Sequence, residues 1–174
     1  MIRGAGQLVT LLAAALLVLF ILRIALPEAE TRGEARAIDG DSIEIGDKEF
    51  RLQGIDAPEY RQTCKDERGK AWACGKEARR VLAGLMGRGK VACASSRLDR
   101  YGRHLATCKA GEVNLNREML RLGFAVTYLD PGLVLLQAEA QAKAARRGLW
   151  QGEFEKPSEW RGREKLLRGD MMVD

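Results

Sequence analysis

The sequence predicts an α+β domain: about five strands in one twisted meander that closes on itself, about three helices packed against it, and an apolar helix ahead of the whole. Three observations point there. Between Ala37 and Ile55 the turn dipeptides Asp39-Gly40 and Gly46-Asp47 separate short runs of alternating or β-branched apolar residues, the pattern of a β-meander. Further on, apolar residues return at helical spacing in three stretches. At 174 residues the chain has room for one domain with a real core plus an appendage, and not for a second full domain.

Residues 4–22 are uncharged and dominated by Leu, Ala, Val, Ile and Phe, close to the ~20 residues an α-helix needs to cross the hydrocarbon core. The segment 1–26 is read as a membrane anchor, meeting the bilayer through residues 4–26, or as a signal segment with Arg3 as its basic start. Small residues at cleavage spacing are missing: Ala25 has Arg23 two positions back and Ala29 has Pro27, which favours the uncleaved anchor. Arg3 on one flank and Arg23, Arg32 and Arg36 on the other leave the orientation open. A polar linker is expected over 27–33, the domain over 34–150, and a C-terminal extension over 151–174.

Strands are expected around Ser42 to Ile45 and Phe50 to Ile55. If the second turn centres on Gly46-Asp47, Arg51 falls opposite Ser42 and close to Asp41, although a slip of one residue would turn it to the other face. Asp56 follows the end of the strand, and Pro58 bends the chain so that Glu59 returns toward the same edge. From Lys76 the positions Ala78, Val81, Leu82, Leu85 and Met86 predict a helix ending near Gly87. A second helix is predicted from Asn114 to Leu122 with Gly123 as its stop, an extended stretch from Ala125 to Tyr128, and a third helix from Val134 to Arg147 ended by Gly148. A small sheet of this kind closes most economically as a five-stranded barrel of the oligonucleotide-binding (OB) type. In the extension, Trp150, Phe154 and Trp160 are expected to pin the first part and the charged last residues to be loosely held.

The four cysteines lie outside the apolar segment, at spacings that fit neither paired zinc ligands nor a C-x-x-C redox motif, so disulfides are the better reading. Lys90 to Ala94 and His104 to Cys108 read as strands joined by a turn in Asp99-Arg100-Tyr101-Gly102. A hairpin centred between Arg100 and Tyr101 sets Cys93 across from Cys108, and Cys64 and Cys74 would then close the loop ahead of the first helix, one of the three connectivities that four cysteines allow. Two bridges imply an oxidising compartment, hence a bacterial cell envelope with the domain outside the cytoplasm, periplasmic if anchored and secreted if the segment is cleaved.

The net charge of +5 and a pI near 9.2 favour polyanionic partners, nucleic acid first and anionic lipid second. A single histidine, His104, excludes mechanisms that need two imidazoles and leaves hydrolysis to carboxylates, metal and arginines. The stretch Ala37 to Glu59 holds those groups. Two carboxylates converging with a backbone carbonyl make an all-oxygen site for Ca²⁺ or Mg²⁺, and a third acid off the metal can take a proton from water. His104 alternates away from Arg103 on its strand and reads as a surface or core-edge residue, not a catalytic one.

The segments DGDS at Asp39 to Ser42, RLQGIDAPE at Arg51 to Glu59 and DRYGR at Asp99 to Arg103 resemble, in order and spacing, the three signatures of the staphylococcal nuclease-like (thermonuclease) family, over roughly Glu34 to Trp150. The resemblance implies an OB-type fold and a metal-dependent endonuclease that hydrolyses phosphodiesters of DNA, RNA or both. It implies Asp41, Asp56 and the Ala57 carbonyl as metal ligands, Glu59 as general base, and Arg51 and Arg103 as the arginines on the phosphoryl group. Arg100 and Tyr101 resemble the pair that contacts the terminal phosphate and base, and Tyr128 a sugar or base contact. Ca²⁺ is expected ahead of Mg²⁺, with no organic cofactor and a monomeric protein. The alternative is a membrane-tethered OB barrel that binds oligonucleotides without turnover.

Overall fold

In the computed structural model, residues 11–17 and 29–169 are described. Five helices and ten strands follow in order: α1 (residues 11–17), β1 (Ala29–Ala37), β2 (Ser42–Ile45), β3 (Lys48–Leu52), β4 (Ile55–Asp56), β5 (Cys64–Lys65), β6 (Ala71–Trp72), α2 (Cys74–Met86), β7 (Lys90–Leu98), β8 (His104–Ala110), β9 (Val113–Asn114), α3 (Leu115–Arg121), β10 (Val126–Thr127), α4 (Gly132–Ala144) and α5 (Pro157–Arg168), with a 3₁₀ turn at Gly148–Gln151 before the last helix. The principal sheet runs β3-β2-β1-β7-β8-β9 and is closed by a parallel pairing of β3 with β8, which makes a five-stranded barrel of β1, β2, β3, β7 and β8. This is the expected OB-type α+β fold.

Its interior is the apolar face of each predicted strand. Ile43, Phe50, Leu52 and Val91 are fully buried from the sheet, Ile55 from β4, and Leu82, Leu115, Met119 and Leu120 from α2 and α3. Each such side chain withdrawn from water contributes about 1.5–3 kcal/mol. Buried Asn116 ties helix to barrel, donating to the carbonyls of Gln53 and Ala106 and accepting from the Cys108 N–H at 2.9–3.0 Å. His104 stacks on Phe50 with ring centroids 5.1 Å apart, which puts it at the core edge, one of the two places open to it in the sequence.

The three helices anticipated from periodicity are α2, α3 and α4. Asn114 caps α3, its side chain accepting the Arg117 N–H. Both disulfides form as expected, Cys64 to Cys74 and Cys93 to Cys108. The hairpin behind the second differs from the simple count. Leu98 pairs with His104, so the turn centres on Tyr101, and a bulge between Ser95 and Arg97 restores the register that sets Cys93 opposite Cys108.

One expectation needs correction, and one element was not foreseen. Residues 29–33, assigned to a linker, are the first half of β1, pairing with β7 from Ala29↔Ser95 to Glu34↔Lys90. From Thr31 on, the inward positions of this strand are Thr31, Gly33, Ala35 and Ala37, too small and polar to give a strand signature. While the last residues of the extension, expected to be loosely held, lie outside the described ones, the extension carries a helix not foreseen in the sequence, α5, begun by Pro157 in its first turn and ended by left-handed Gly169. Its charged composition conceals this, because what orders it lies elsewhere in the fold. As for the N-terminal apolar segment, only residues 11–17 are described and they are helical. Among the described residues no helix is long and apolar enough to cross a membrane, and the rest of the expected anchor lies outside them.

Candidate active site

The β2–β3 register pairs Ser42 with Arg51, and this places the Arg51 guanidinium beside Asp41. Arg51 Nη1 donates to Asp41 Oδ1 at 2.5 Å and Nη2 to Asp56 Oδ1 at 2.7 Å, so one planar fork bridges the two acids. Both carboxylates are buried, Asp41 2% exposed and Asp56 fully enclosed. Asp56 is brought there by β4, which pairs with β10 through Asp56↔Val126. Asp41 Oδ2 accepts the Ala57 N–H at 2.8 Å and Oδ1 the Ser42 hydroxyl at 3.2 Å. Arg51 keeps its charge although burial works against it, because Asp41 and Asp56 hold its pKa above the ordinary value.

Above these groups opens a cleft of about 810 Å³. Five arginines line it, Arg51, Arg97, Arg100, Arg103 and Arg161, together with Glu59, Tyr101 and Tyr128. Tyr128 is held by its N–H, which donates to the Gly54 carbonyl at 2.9 Å. Arg103 shares the cleft with Arg51 but does not touch the buried acids. Its Nε and Nη2 grip Asp99 Oδ2 at 2.8 and 2.7 Å, while Nη1 lies 3.9 Å from Glu49. The sequence motif contains the reason. Asp99 Oδ1 accepts the N–H groups of Tyr101 and Arg103, so one carboxylate folds the turn and aims the guanidinium. Burial pushes the Asp99 carboxyl up, but Arg103 and those two N–H groups outweigh it and hold it below the usual range. On the turn Tyr101 is 64% exposed, with the Arg100 guanidinium 4.8 Å and the Arg103 guanidinium 5.4 Å from its ring centre.

Glu59 is positioned from behind by buried Gln62, whose Oε1 accepts the Glu59 N–H at 3.2 Å while the Gln62 N–H donates to the Glu59 carbonyl at 2.7 Å. In front of it stands a residue that sequence reasoning missed. Arg161, from α5, donates through Nη1 to Asp56 Oδ1 at 2.9 Å and to Glu59 Oε1 at 2.8 Å, and through Nη2 to Asp56 Oδ2 at 3.0 Å. Burial works against its charge, but the bonds to Asp56 and Glu59 raise its pKa well above the ordinary value. The only hint in the sequence was Trp160, read as a pin for the extension.

The family model described as staphylococcal nuclease homologue matches residues 49–152, more than half of the chain. The chain belongs to this family. Among relatives, the succinoglycan biosynthesis protein ExoI of Rhizobium meliloti is 36% identical over 126 residues, covering 71% of this chain and 66% of that protein. Protein ParB of Escherichia coli is 38% identical over 91% of this chain and 93% of its own length, and an uncharacterized endonuclease of Haemophilus influenzae is 33% identical over 90% and 86%. The chain thus spans just under two thirds of the first relative and most of the other two. The staphylococcal nuclease homologue match begins within β3, takes in Arg51, Asp56, Glu59 and Arg103, and stops before α5.

Whether these residues suit a divalent cation can be judged from the acids themselves. Burial pushes the Asp41 carboxyl up to about 7 against the pull of Arg51; Asp39 and Asp56 add to the push, and the Ala57 N–H opposes it. Asp41, whose charge is costly to hold, and enclosed Asp56 beside it offer the carboxylate oxygen that a hard cation prefers. Among the described residues no group of three or more His, Cys, Asp or Glu side chains is gathered closely enough to hold an ion alone. Further ligands must then come from backbone oxygen, water or a phosphate, as is usual where a metal works on a phosphodiester.

Proposed function

We propose that this chain is a Ca²⁺-dependent endonuclease that hydrolyses phosphodiester bonds in DNA, RNA or both. Membership of the staphylococcal nuclease homologue family and the likeness to an endonuclease of Haemophilus influenzae support a nuclease acting on nucleic acid. The observation on which the catalytic reading rests is the bridge that Arg51 makes between two buried aspartates at the floor of a cleft walled by Glu59 and Arg103.

Cleavage needs an aligned water, removal of its proton, and stabilisation of charge building on the phosphoryl oxygens. Glu59, one-third exposed at the cleft wall, takes the proton from the attacking water. Arg51 and Arg103 donate to the phosphoryl oxygens with planar forks that lysine lacks. Asp41, Asp56 and the Ala57 carbonyl would hold the cation, which supplies Lewis-acid charge to a phosphate oxygen. Exposed Tyr101, with Arg100 beside it, offers a base-stacking face and a phosphate contact, and Tyr128 faces the sugar or base.

We further propose that the domain works outside the cytoplasm, anchored through residues 4–26 or secreted if that segment is cleaved, a reading supported by its two disulfides. Recovery of all four cysteines as free thiols from the native host would overturn that placement. For the activity, purified protein is incubated with single-stranded DNA and with RNA in Ca²⁺, in Mg²⁺ and in chelator. Internal cleavage with Ca²⁺ and none in chelator is expected, and undiminished turnover in chelator would sink the metal assignment.

A further inference from the structure

The C-terminal segment is fastened to the fold before it reaches the site. Lys65 and Glu153 exchange backbone hydrogen bonds of 2.8 and 3.1 Å, and Gln62 Nε2 donates to the Glu155 carbonyl at 2.7 Å. Trp150 and Phe154 pack edge to face beside the Cys64–Cys74 bridge. Gly152 lies so near that a Cβ there would stand 2.2 Å from the Lys65 carbonyl oxygen. The same loop, Glu59 to Cys74, therefore carries both the base and, three and six residues on at Gln62 and Lys65, the anchorage of the segment leading into α5. Arg161, just over one turn into that helix, is delivered to Asp56 and Glu59 by fixed structure.

What it does there follows from the count of donors. Asp56 already accepts Arg51 on Oδ1, and Arg161 covers both its oxygens. These three bonds take both lone pairs of Oδ1 and one of Oδ2, so a cation approaching Asp56 meets the Arg161 charge and competes with it for the carboxylate. Formal charge agrees: the acids Asp41, Asp56 and Glu59 face the guanidinium groups of Arg51 and Arg161, so withdrawing Arg161 frees the negative charge that a divalent ion would take up. The family match ends at residue 152, so this guanidinium comes from outside the region the match covers.

We propose that Arg161 is a further positioning residue of this site, an internal counter-ion that holds Asp56 and Glu59 in place and competes with the divalent cation for Asp56. The inference rests on the metal-dependent reading above. While the site is without metal, the bidentate fork keeps two acids together that would otherwise repel one another. When a cation binds, Arg161 gives up Asp56.

Calorimetric titration of Ca²⁺ into the full chain without nucleic acid tests this, comparing wild type with Arg161→Gln, Arg161→Lys and Arg163→Gln. Arg163 pairs with Glu155 and Glu164, away from the acids, and controls for loss of a nearby charge. Arg161→Gln is expected to bind Ca²⁺ roughly tenfold tighter, the scale on which desolvated charge pairs couple. Arg161→Lys should fall between, since it keeps the charge without the fork, and Arg163→Gln should stay within about twofold of wild type because exposed charges are screened. A gain in affinity separates competition from a merely structural role, which would leave binding unchanged or weaken it. Equal or weaker binding by folded Arg161→Gln, or by Arg161→Lys should Gln not fold, overturns the competition and leaves the metal reading standing. Binding by Arg161→Gln where wild type binds nothing supports it in its strongest form. Cleavage by both chains with Ca²⁺ bound to neither overturns the metal reading and this inference together.

Discussion

A Cβ placed on Gly75 would stand 1.8 Å from the carbonyl oxygen of Glu59. The first turn of α2 is thus pressed against the backbone that carries the proposed base, and only hydrogen fits between them. The contact is reinforced by the Gly75 N–H, which donates to the Gln62 carbonyl at 3.2 Å. Gly75→Ala must push the Glu59 loop away from the helix. Overpacking of this kind costs about 1–3 kcal/mol, and displacing a catalytic group by an ångström costs on the order of 10²-fold in rate. Both the melting temperature and the cleavage rate of Gly75→Ala are expected to fall. A wild-type rate would mean that Glu59 need not be held where it is.

The roles assigned to Glu59 and Arg51 make separate predictions. Glu59→Gln removes the proton acceptor and is expected to lower the rate by roughly 10²–10⁴-fold. Arg51→Lys keeps charge but cannot bridge Asp41 and Asp56, and on the order of 10²-fold loss is expected. Single-turnover cleavage of a short DNA, with circular dichroism to confirm the fold, decides each. Near-wild-type rates in either variant would remove that residue from the mechanism.

Tyr101 stands out from the cleft rim with two guanidinium groups nearby. Stacking of a base on such a ring is worth about 1–3 kcal/mol, so Tyr101→Ala is expected to weaken binding of single-stranded DNA by roughly 10- to 100-fold. Fluorescence anisotropy in chelator measures this without turnover, and unchanged affinity would take Tyr101 out of the binding surface.

The Asp99 carboxyl lies below its ordinary value of 3.8 in the folded chain. A depressed pKa means that the folded state binds its proton later than the unfolded one, so the stability contributed is complete above the unfolded value and is lost as pH falls through the folded value. The melting-temperature gap between wild type and Asp99→Asn should therefore be full above about pH 5 and narrow as pH falls below 3.8. A gap that widens on acidification would show that the Arg103 pairing is not its source.

The Cys93–Cys108 bridge closes a separation of 15 residues across neighbouring strands. Replacing both cysteines by serine is expected to cost about 2–4 kcal/mol in urea unfolding while leaving cleavage in place, since neither sulfur meets the cleft. Loss of activity in a variant that remains folded would tie the bridge to the site instead.

Much of this was legible in the chain because it depended on local signals. The β2–β3 hairpin could be counted from Gly46-Asp47, and the count brought Arg51 to Asp41 because that hairpin has no bulge. The β7–β8 count reached the right cysteine pair although its turn was displaced, since the bulge before Arg97 compensates for the shift. β1 was not read as a strand, because a strand whose inward residues are Thr31, Gly33, Ala35 and Ala37 carries no hydrophobic alternation. The orientation of Arg103 was missed for another reason: its partner, Asp99, reads in sequence as a turn residue alone.

Taken alone, the sequence determined the family, the barrel, the disulfide pairs and the meeting of Arg51 with Asp41, because each rests on short-range pattern or on motifs with fixed spacing. Only the tertiary structure decided that α5 folds back and that Arg161 sits on Asp56 and Glu59, more than a hundred residues away. The physical reason is that a charged helix announces no partner in its own periodicity. It is ordered by a disulfide-bonded loop, by the carbonyl that Gln62 grips and by two acids, all supplied by chain far from it in sequence.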